Sequence, residues 1–363
     1  MTQTPSTDHA VETAALLEGV EAFLRGFASR HLDPALAPAS IAPLYADLQE
    51  YIQRPGKRIR PLVFLMACRA FDPGRSLAWG EFSVAGALEL FHDFVLVHDD
   101  IIDRTDSRRG APSLHRLVET RLTSYGDRSR TGRDVALVLG DILFALSQRC
   151  VLESRLHERA EILDRLLGYV VDTGLGEVLD VVAGTRDLSK IDPGEIEQMY
   201  HLKTTRYTVE CPLVLAGMLA GLTEPQLDAI AQAAAPAGLA FQIENDLREW
   251  ERFEVSDSEV PSDIIEGKKT ALLRTAFGRL GETDRTLLQL SLSVSPPTDA
   301  TLTMLKDLVG ASGAVGALRS RIEVLCEQAL ALASAEVLPA HVRSGLGEIL
   351  AGVRATIGGK AKA

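Results

Sequence analysis

Two groups of oxygen-bearing side chains share one spacing. Asp99, Asp100 and Asp103 stand at i, i+1 and i+4, and Asn245, Asp246 and Glu249 repeat that pattern far downstream. Each group follows an apolar stretch of helical periodicity, Leu88 to Val97 in the first case and Ala233 to Ile243 in the second. On a helix, i and i+4 lie one turn apart on one face, so each group would present its oxygens to one side. Two such clusters facing one another would clamp a hard cation. Mg²⁺ suits them, because it takes one or two carboxylates and completes its shell with water and substrate phosphates. A solvated acidic turn paired with Arg104 or Arg108 is the plainer alternative, but such turns seldom follow so apolar a run.

Basic residues bracket the first cluster. Arg104, Arg108 and Arg109 follow it directly, and Gly56-Lys57-Arg58-Ile59-Arg60-Pro61 lies upstream. Lys57 and Arg60, at i and i+3, can share a helix face, while Gly56 lets the backbone approach a ligand closely. Guanidinium binds phosphate oxygens in a fork and lysine binds them as a point charge. Each of these side chains alone is an ordinary surface charge. Two basic clusters around a carboxylate cluster, in a chain of net charge -12, describe a site for two diphosphates.

The elements that must position these groups are helical. From Val11 onward apolar residues recur at intervals of three and four, with Gly and Pro between segments and few period-two runs, so the fold class is all-α. With 363 residues and 46% hydrophobic content, the chain can bury a large aliphatic core. The expected organisation is a flexible N-terminus over 1–15, one helical domain over 16–355 and a flexible tail over 356–363. A loop is expected from Trp250 to Gly267, between a helix ending near Glu249 and one starting near Lys268, and a break at Ser293–Thr298. The acidic balance opposes binding to nucleic acid. Cys68, Cys150, Cys211 and Cys326 form no metal-ligand spacing, which suits a reduced, cytoplasmic protein. The N-terminal residues lack a signal-peptide pattern, and the charge-free stretch Cys211 to Thr223 is too short to span a bilayer, so it reads as a buried helix with no transmembrane segment implied.

The segments GKRIRP, LVHDDIIDRTDSRRG, HLKTTRYT, FQIENDL and DIIEGKKT occur in an order and at separations that resemble the trans-isoprenyl (polyprenyl) diphosphate synthase family, most of all its geranylgeranyl and farnesyl diphosphate synthases. The resemblance covers roughly residues 20 to 350 and implies a single large helical bundle around a central cavity, as a homodimer. It implies a prenyltransferase that uses Mg²⁺ to ionise an allylic diphosphate and joins it to isopentenyl diphosphate. Carried over by position, Asp99, Asp100 and Asp103 would hold Mg²⁺, with Asn245, Asp246 and Glu249 as the second metal set. Arg108 would contact the allylic diphosphate. Lys57, Arg60, His92 and Arg109 would hold isopentenyl diphosphate, with Arg58 as a helper. Lys203 and Thr204 match a pair beside the departing diphosphate, Gln242 the glutamine of the second motif and Lys268 its closing lysine. His92 alone reads as an ordinary helix histidine, and Lys203 alone as a surface lysine.

The sequence also departs from the family. Asn245-Asp246-Leu247-Arg248-Glu249 stands where Asp-Asp-x-x-Asp is usual, the Ser256 to Pro261 region lacks a lysine and has Glu259 near its place, and Gly-Gln-x-x-Asp appears as Gly176-Glu177-Val178-Leu179-Asp180. Asn and Glu still offer Mg²⁺ oxygens with one less formal charge, and Glu244 points off the Asp246 and Glu249 face. These changes leave open transfer to a non-isoprenoid acceptor such as indole, a terpene cyclase on the same fold, or a non-catalytic subunit of a heteromeric synthase. Intact Lys57, Arg60, His92 and Arg109 argue against the first two, and the intact first motif against the third. Product length turns on Phe91, Phe94 and Val95, before Asp99 on the same helix. Phe94 followed by the smaller Val95 resembles C20 synthases, so geranylgeranyl diphosphate is expected, with farnesyl diphosphate next. Ordinary core packing is the plainer reading of both rings.

Overall fold

A computed structural model describes residues 7–121, 127–255, 260–294 and 296–358. Residues 1–6, 359–363 and 256–259 lie outside these, and with them the outer ends of the expected flexible termini and the position of Glu259. The described chain is helical apart from one two-residue hairpin. It forms two compact units, Met1–Asp164 and Arg165–Ala363.

The first unit contains α1 (Thr7–His31), α2 (Ala42–Gln53), α3 (Ile59–Phe71), α4 (Trp79–Ile102), α5 (Leu114–Arg121) and α6 (Arg128–Glu153), and α7 (Arg159–Gly184) begins in it. Its centre is α4, which packs on α6, α3 and α1. The α4–α6 approach is close because Gly140 faces the His98 ring, where a Cβ would stand 2.6 Å from its Cδ2. Between α4 and α5 the strands β1 (Ser107–Arg108) and β2 (Ala111–Pro112) pair antiparallel, Ser107 opposite Pro112 and Arg108 opposite Ala111. Their two turn residues, Arg109 and Gly110, both have positive φ, 54° and 74°. A two-residue turn of that kind matches the natural twist of a hairpin. Asp127 caps α6 by accepting from the Arg130 amide at 3.0 Å.

Helix α6 is the one described helix long and apolar enough to cross a membrane, by length and composition; 44% of its apolar window is buried, against α4 and α5.

The second unit holds the rest of α7, then α8 (Pro193–Tyr200), α9 (Cys211–Leu219), α10 (Glu224–Val255), α11 (Ser262–Ile265), α12 (Ala271–Arg279), α13 (Glu282–Leu292), α14 (Asp299–Ser312), α15 (Ala314–Leu332) and α16 (Ala340–Gly358). Between α8 and α9 the chain widens into a π-helix over His201–Glu210. Thr204, Thr205, Thr208 and Val209 fall in it, β-branched residues that gain little from a regular α-helix. Helix α10 packs on α15, α16 and this π-helix. It runs past the expected end near Glu249 to Val255 because Trp250 and Phe253 are both buried and continue its apolar face. The expected loop also contains the one-turn α11, and the next helix, α12, starts at Ala271, not Lys268, where the Thr270 hydroxyl accepts from the Leu273 amide at 3.3 Å. The apolar stretch from Cys211 forms buried α9, and the break before Asp299 falls where expected.

Gly176 on α7 lies against the backbone of Lys203, so that a Cβ there would stand 2.6 Å from the Lys203 Cα. Backbone cannot rotate away as a side chain does. Gly176→Ala is therefore expected to destabilise the protein by about 1–3 kcal/mol through overpacking, read as a lowered midpoint in denaturant or thermal unfolding.

Candidate active site

In the first unit a buried carboxylate organises the basic residues. Glu89 on α4 is 1% exposed and its Oε1 accepts from Arg58 Nη1 at 2.6 Å and from Arg109 Nη2 at 3.0 Å. One turn along the helix, Asp93 is fully buried and its Oδ1 makes an ion pair of 3.1 Å with Arg109 Nη1. Burial pushes the Asp93 carboxyl up to about 7, with Arg109 opposing and Glu89 adding to the rise.

Arg58, grouped by sequence with the ligand-binding residues, is engaged elsewhere. Its side chain is fully buried, and besides Glu89 it donates to Glu21 at 2.7 Å and to the carbonyls of Ile52 and Arg54 at 3.0 and 2.8 Å. It anchors the turn before α3, in a left-handed conformation with φ 45°. Arg109 instead lies over Gly56, where a Cβ would meet its Cζ and Nε at 3.4 Å. Lys57 is exposed beside it in sequence, and Arg60 is buried in the first turn of α3. His92 is held neutral: burial pulls its pKa well down, and the charges of Arg60, Arg109, Arg108 and Arg58 pull the same way. The structure thus brings His92, Arg60 and Arg109 within electrostatic reach of one another.

The aspartate cluster sits at the C-terminal end of the same helix. Asp100 and Asp103 are buried and Asp99 is half-buried. Arg108, projected by β1, donates to Asp100 Oδ1 from Nε at 2.8 Å and again from Nη2, and stands 3.7 Å from Asp99 Oδ2. Asp100 Oδ2 is buried with no hydrogen-bond partner. Burial raises the Asp100 carboxyl to about 6; Arg108 opposes this, while Asp99 and Asp103 add to it. The Tyr51 hydroxyl is likewise buried without a hydrogen bond, close enough to Asp93 and Asp100 that both charges raise its pKa further above a value already lifted by burial.

The three candidates for product length part company. Phe91 is buried, while Phe94 and Val95 are half-buried. The Phe94 ring lies 5.1 Å from Phe144 of α6, 4.6 Å from His98 and 6.0 Å from Phe91, centroid to centroid.

In the second unit a small cavity of about 60 Å³ is lined by Asp180, Met199, Tyr200, Lys203, Thr204, Gln242, Asp246, Asp263, Lys268, Lys269 and Thr270. Four sequence candidates, Lys203, Thr204, Gln242 and Lys268, therefore share it with Asp246. Lys203 Nζ lies 2.7 Å from Asp180 Oδ2 and 2.8 Å from Glu177 Oε2. Lys268 stands 3.8 Å from Asp263. Asp246 is already engaged: the Tyr200 hydroxyl donates to Oδ2, and Gln242 Nε2 to Oδ1 at 2.8 Å. Burial pushes the Asp246 carboxyl well above its ordinary range, with Asp263 adding to the rise. Tyr200 also accepts from the Ala271 amide at 2.8 Å, tying α12 to the motif. Asn245 and Glu249 are half-buried and absent from the cavity lining. Glu244 cannot stand in for them, because it pairs with Arg248 and Arg319 at 2.8 Å each.

Sequence reasoning assigned no role to Glu89, Asp93, Tyr200, Asp180 or Lys269. Asp180 carried a signal as part of the altered Gly176–Asp180 motif, and Lys269 as part of DIIEGKKT. Among the described residues no three His, Cys, Asp or Glu side chains converge tightly enough to enclose a metal ion unaided.

A family model described as Polyprenyl synthetase matches residues 42–307. A short chain isoprenyl diphosphate synthase of Methanothermobacter thermautotrophicus is 32% identical over 249 residues, covering 65% of this chain and 68% of the relative. A geranylgeranyl diphosphate synthase of Methanosarcina mazei is 29% identical over 258 residues, covering 69% and 73%. Among solved structures, a geranylgeranyl pyrophosphate synthase from Corynebacterium glutamicum, complexed with isoprenyl diphosphate and magnesium, superposes with a TM-score of 0.82 at 26% identity, covering 93% of this chain and 98% of that one. A match spanning most of the chain, on a fold shared almost end to end and carrying the aspartate and arginine groups described above, makes this chain a member of the polyprenyl synthetase family.

Proposed function

We propose that the protein condenses isopentenyl diphosphate with an allylic diphosphate to give a short all-trans prenyl diphosphate, with geranylgeranyl diphosphate as the product and farnesyl diphosphate next. The observation that carries this reading is that one helix, α4, gathers two distinct cation-and-acid groups. Arg108 is held on the Asp99–Asp103 cluster, and Arg109, with His92 and Arg60, sits two to three turns earlier. Two such groups suit two diphosphates, whereas a cyclase needs only one.

Asp99, Asp100 and Asp103 fit Mg²⁺, since the buried Asp100 Oδ2 lacks a partner and the rest of the shell is left to substrate oxygens and water. Bound there, Mg²⁺ would offset the charge that develops on the departing diphosphate. Arg108 takes oxygens of the same diphosphate. Lys57, Arg60, Arg109 and the neutral His92 hold isopentenyl diphosphate, so that its double bond is fixed beside the allylic carbon. The allylic C–O bond breaks with its electron pair on diphosphate, the double bond supplies the pair for the new C–C bond, and a proton is lost to a diphosphate oxygen. Within the second unit, Lys203, Thr204, Gln242 and Lys268 are the candidates for binding diphosphate oxygens, and Asp246 with Asn245 and Glu249 for a weaker second metal set. A homodimer in the cytoplasm belongs to the same reading. Val171, Leu175, Val178 and Val182 make an exposed apolar stripe along α7, suited to a second copy, and all four cysteines are buried thiols.

Incubation with Mg²⁺, labelled isopentenyl diphosphate and each allylic diphosphate in turn, with chromatography of the products, tests the assignment. No elongation with any of them would refute it, and cyclised or indole-bearing products would point to the related activities. Asp99→Ala or Asp103→Ala should cut turnover by about 100-fold or more, and Asp246→Ala by less. Lys57→Ala and Arg109→Ala should chiefly raise the KM for isopentenyl diphosphate, and Arg108→Ala that for the allylic substrate.

The raised Asp100 carboxyl sets a pH dependence in the same assay. Above about 6 it is a carboxylate available to Mg²⁺; as the pH falls through that value it takes a proton and its share of the cation site is lost. Apparent Mg²⁺ affinity should therefore weaken progressively on the acid side of pH 6 and be flat above pH 7, as measured by Mg²⁺ titration of activity. Phe94→Ala should lengthen the product if the Phe94–Phe144 ring pair closes the tail channel, whereas an unchanged product distribution in Phe94→Ala and Phe91→Ala places the stop elsewhere.

A further inference from the structure

The ammonium of Lys203 is shared by two carboxylates of one helix face. Glu177 and Asp180 stand at i and i+3 on α7, and Lys203 Nζ lies 2.8 Å from Glu177 Oε2 and 2.7 Å from Asp180 Oδ2. The arrangement is built rather than incidental. Gly176, immediately before Glu177, lies against the Lys203 backbone and brings α7 and the π-helix together at this point. All three charged side chains are at most one-fifth exposed, so the pairs are only partly screened by water. Where family resemblance leads one to expect a neutral glutamine, Glu177 adds a full negative charge within hydrogen-bond reach of the lysine.

That charge has a consequence for the ligand. With one carboxylate the lysine is neutralised; with two the cluster carries net charge -1 beside a cavity meant for a diphosphate. An arriving diphosphate must take the ammonium from an anion already in place, and that anion is ready to reclaim it. We propose that Glu177 is a positioning residue that acts as the displaceable counter-ion of Lys203, weakening the hold on inorganic diphosphate and speeding its release after transfer. This rests on the prenyl-transfer reading above. Asp180 shares the ammonium but is the carboxylate the family pattern leads one to expect. Glu177 is the one that changes the balance in this chain.

The test compares the full-length wild type with Glu177→Gln, Glu177→Ala and Glu177→Asp, titrated with inorganic diphosphate plus Mg²⁺ by calorimetry and assayed for turnover. Removing one of the two charges paired with Lys203 should tighten diphosphate binding by roughly tenfold in Glu177→Gln, and Glu177→Ala gives the same comparison without an amide to fit. The charge-conserving Glu177→Asp should stay within about twofold of wild type. Turnover in Glu177→Gln should show a burst followed by a slower steady state, with KM for the allylic substrate lowered along with kcat. A purely structural role would lower thermal stability without tightening binding. Equal or weaker diphosphate binding in Glu177→Gln and Glu177→Ala overturns the inference while leaving prenyl transfer intact. Absence of elongation by the wild type in the turnover assay overturns the prenyl-transfer reading and this inference with it.

Discussion

A carboxylate at 1% exposure has to be met by positive charge, and how Glu89 is met decides much of the first unit. Its two partners come from different places, Arg58 from the turn before α3 and Arg109 from the hairpin turn between β1 and β2. Arg58 in turn reaches Glu21 on α1 and two carbonyls at the end of α2. One buried anion on α4 therefore ties together α1, α2, α3 and the hairpin. Leaving such a charge without a partner costs about 3–5 kcal/mol, so the arginines are as much part of the fold as of the site. The geometry is demanding: Arg58, Arg104 and Arg109 all adopt positive φ, a conformation uncommon outside glycine.

The same logic governs the other cations of the candidate site. Arg108 rests on Asp100, Arg109 on Glu89 and Asp93, and Lys203 on Asp180 and Glu177. Arg108 and Arg109, adjacent in the chain, would otherwise repel one another. Seating each on a carboxylate offsets its charge and fixes its direction, so under the proposed function a bound diphosphate would exchange one anion for another. Pre-orientation of this kind lowers the ordering cost at the moment of binding. It also makes affinity tunable through the resident anion.

Much of this was readable in advance, and the exceptions share a cause. The all-helical class and the buried Cys211 helix depend on neighbours in sequence, and they held. The engagement of Arg58 did not show, because Glu21 and Glu89 lie 37 and 31 residues away. Nor did the end of α10: charge and Ser after Glu249 suggested a loop, yet burial of Trp250 and Phe253 carries the helix on. Asn245, Asp246 and Glu249 share the spacing of the first cluster, but Asp246 is bonded to Tyr200 from a distant segment, a contact no local pattern contains. The π-helix around Lys203 is the hardest case. Its β-branched residues argue against a regular helix without saying what replaces it.

Helix α4 shows why a short stretch of sequence can carry so much of the site. With about 100° of rotation per residue, Glu89, Asp93, Asp100 and Asp103 fall along one face, and the ion pairs to Arg109 and Arg108 are made there. Turning away from that face, the order is His92 and Asp99, then Val95, then Phe91, His98 and Phe94. The last of these meets Phe144 on α6. One side of the helix therefore carries the paired charges and the other the aromatic rings, with Asp99 and Val95 on the seam between them. Such a division lets changes at Phe94 or Val95 alter what the apolar side accommodates without disturbing the buried charges. Conversely, Glu89 and Asp93 both pair with Arg109, so a substitution at either is felt at that arginine. The separation follows from helical periodicity alone, which is why residues so close in sequence can serve such different chemistry.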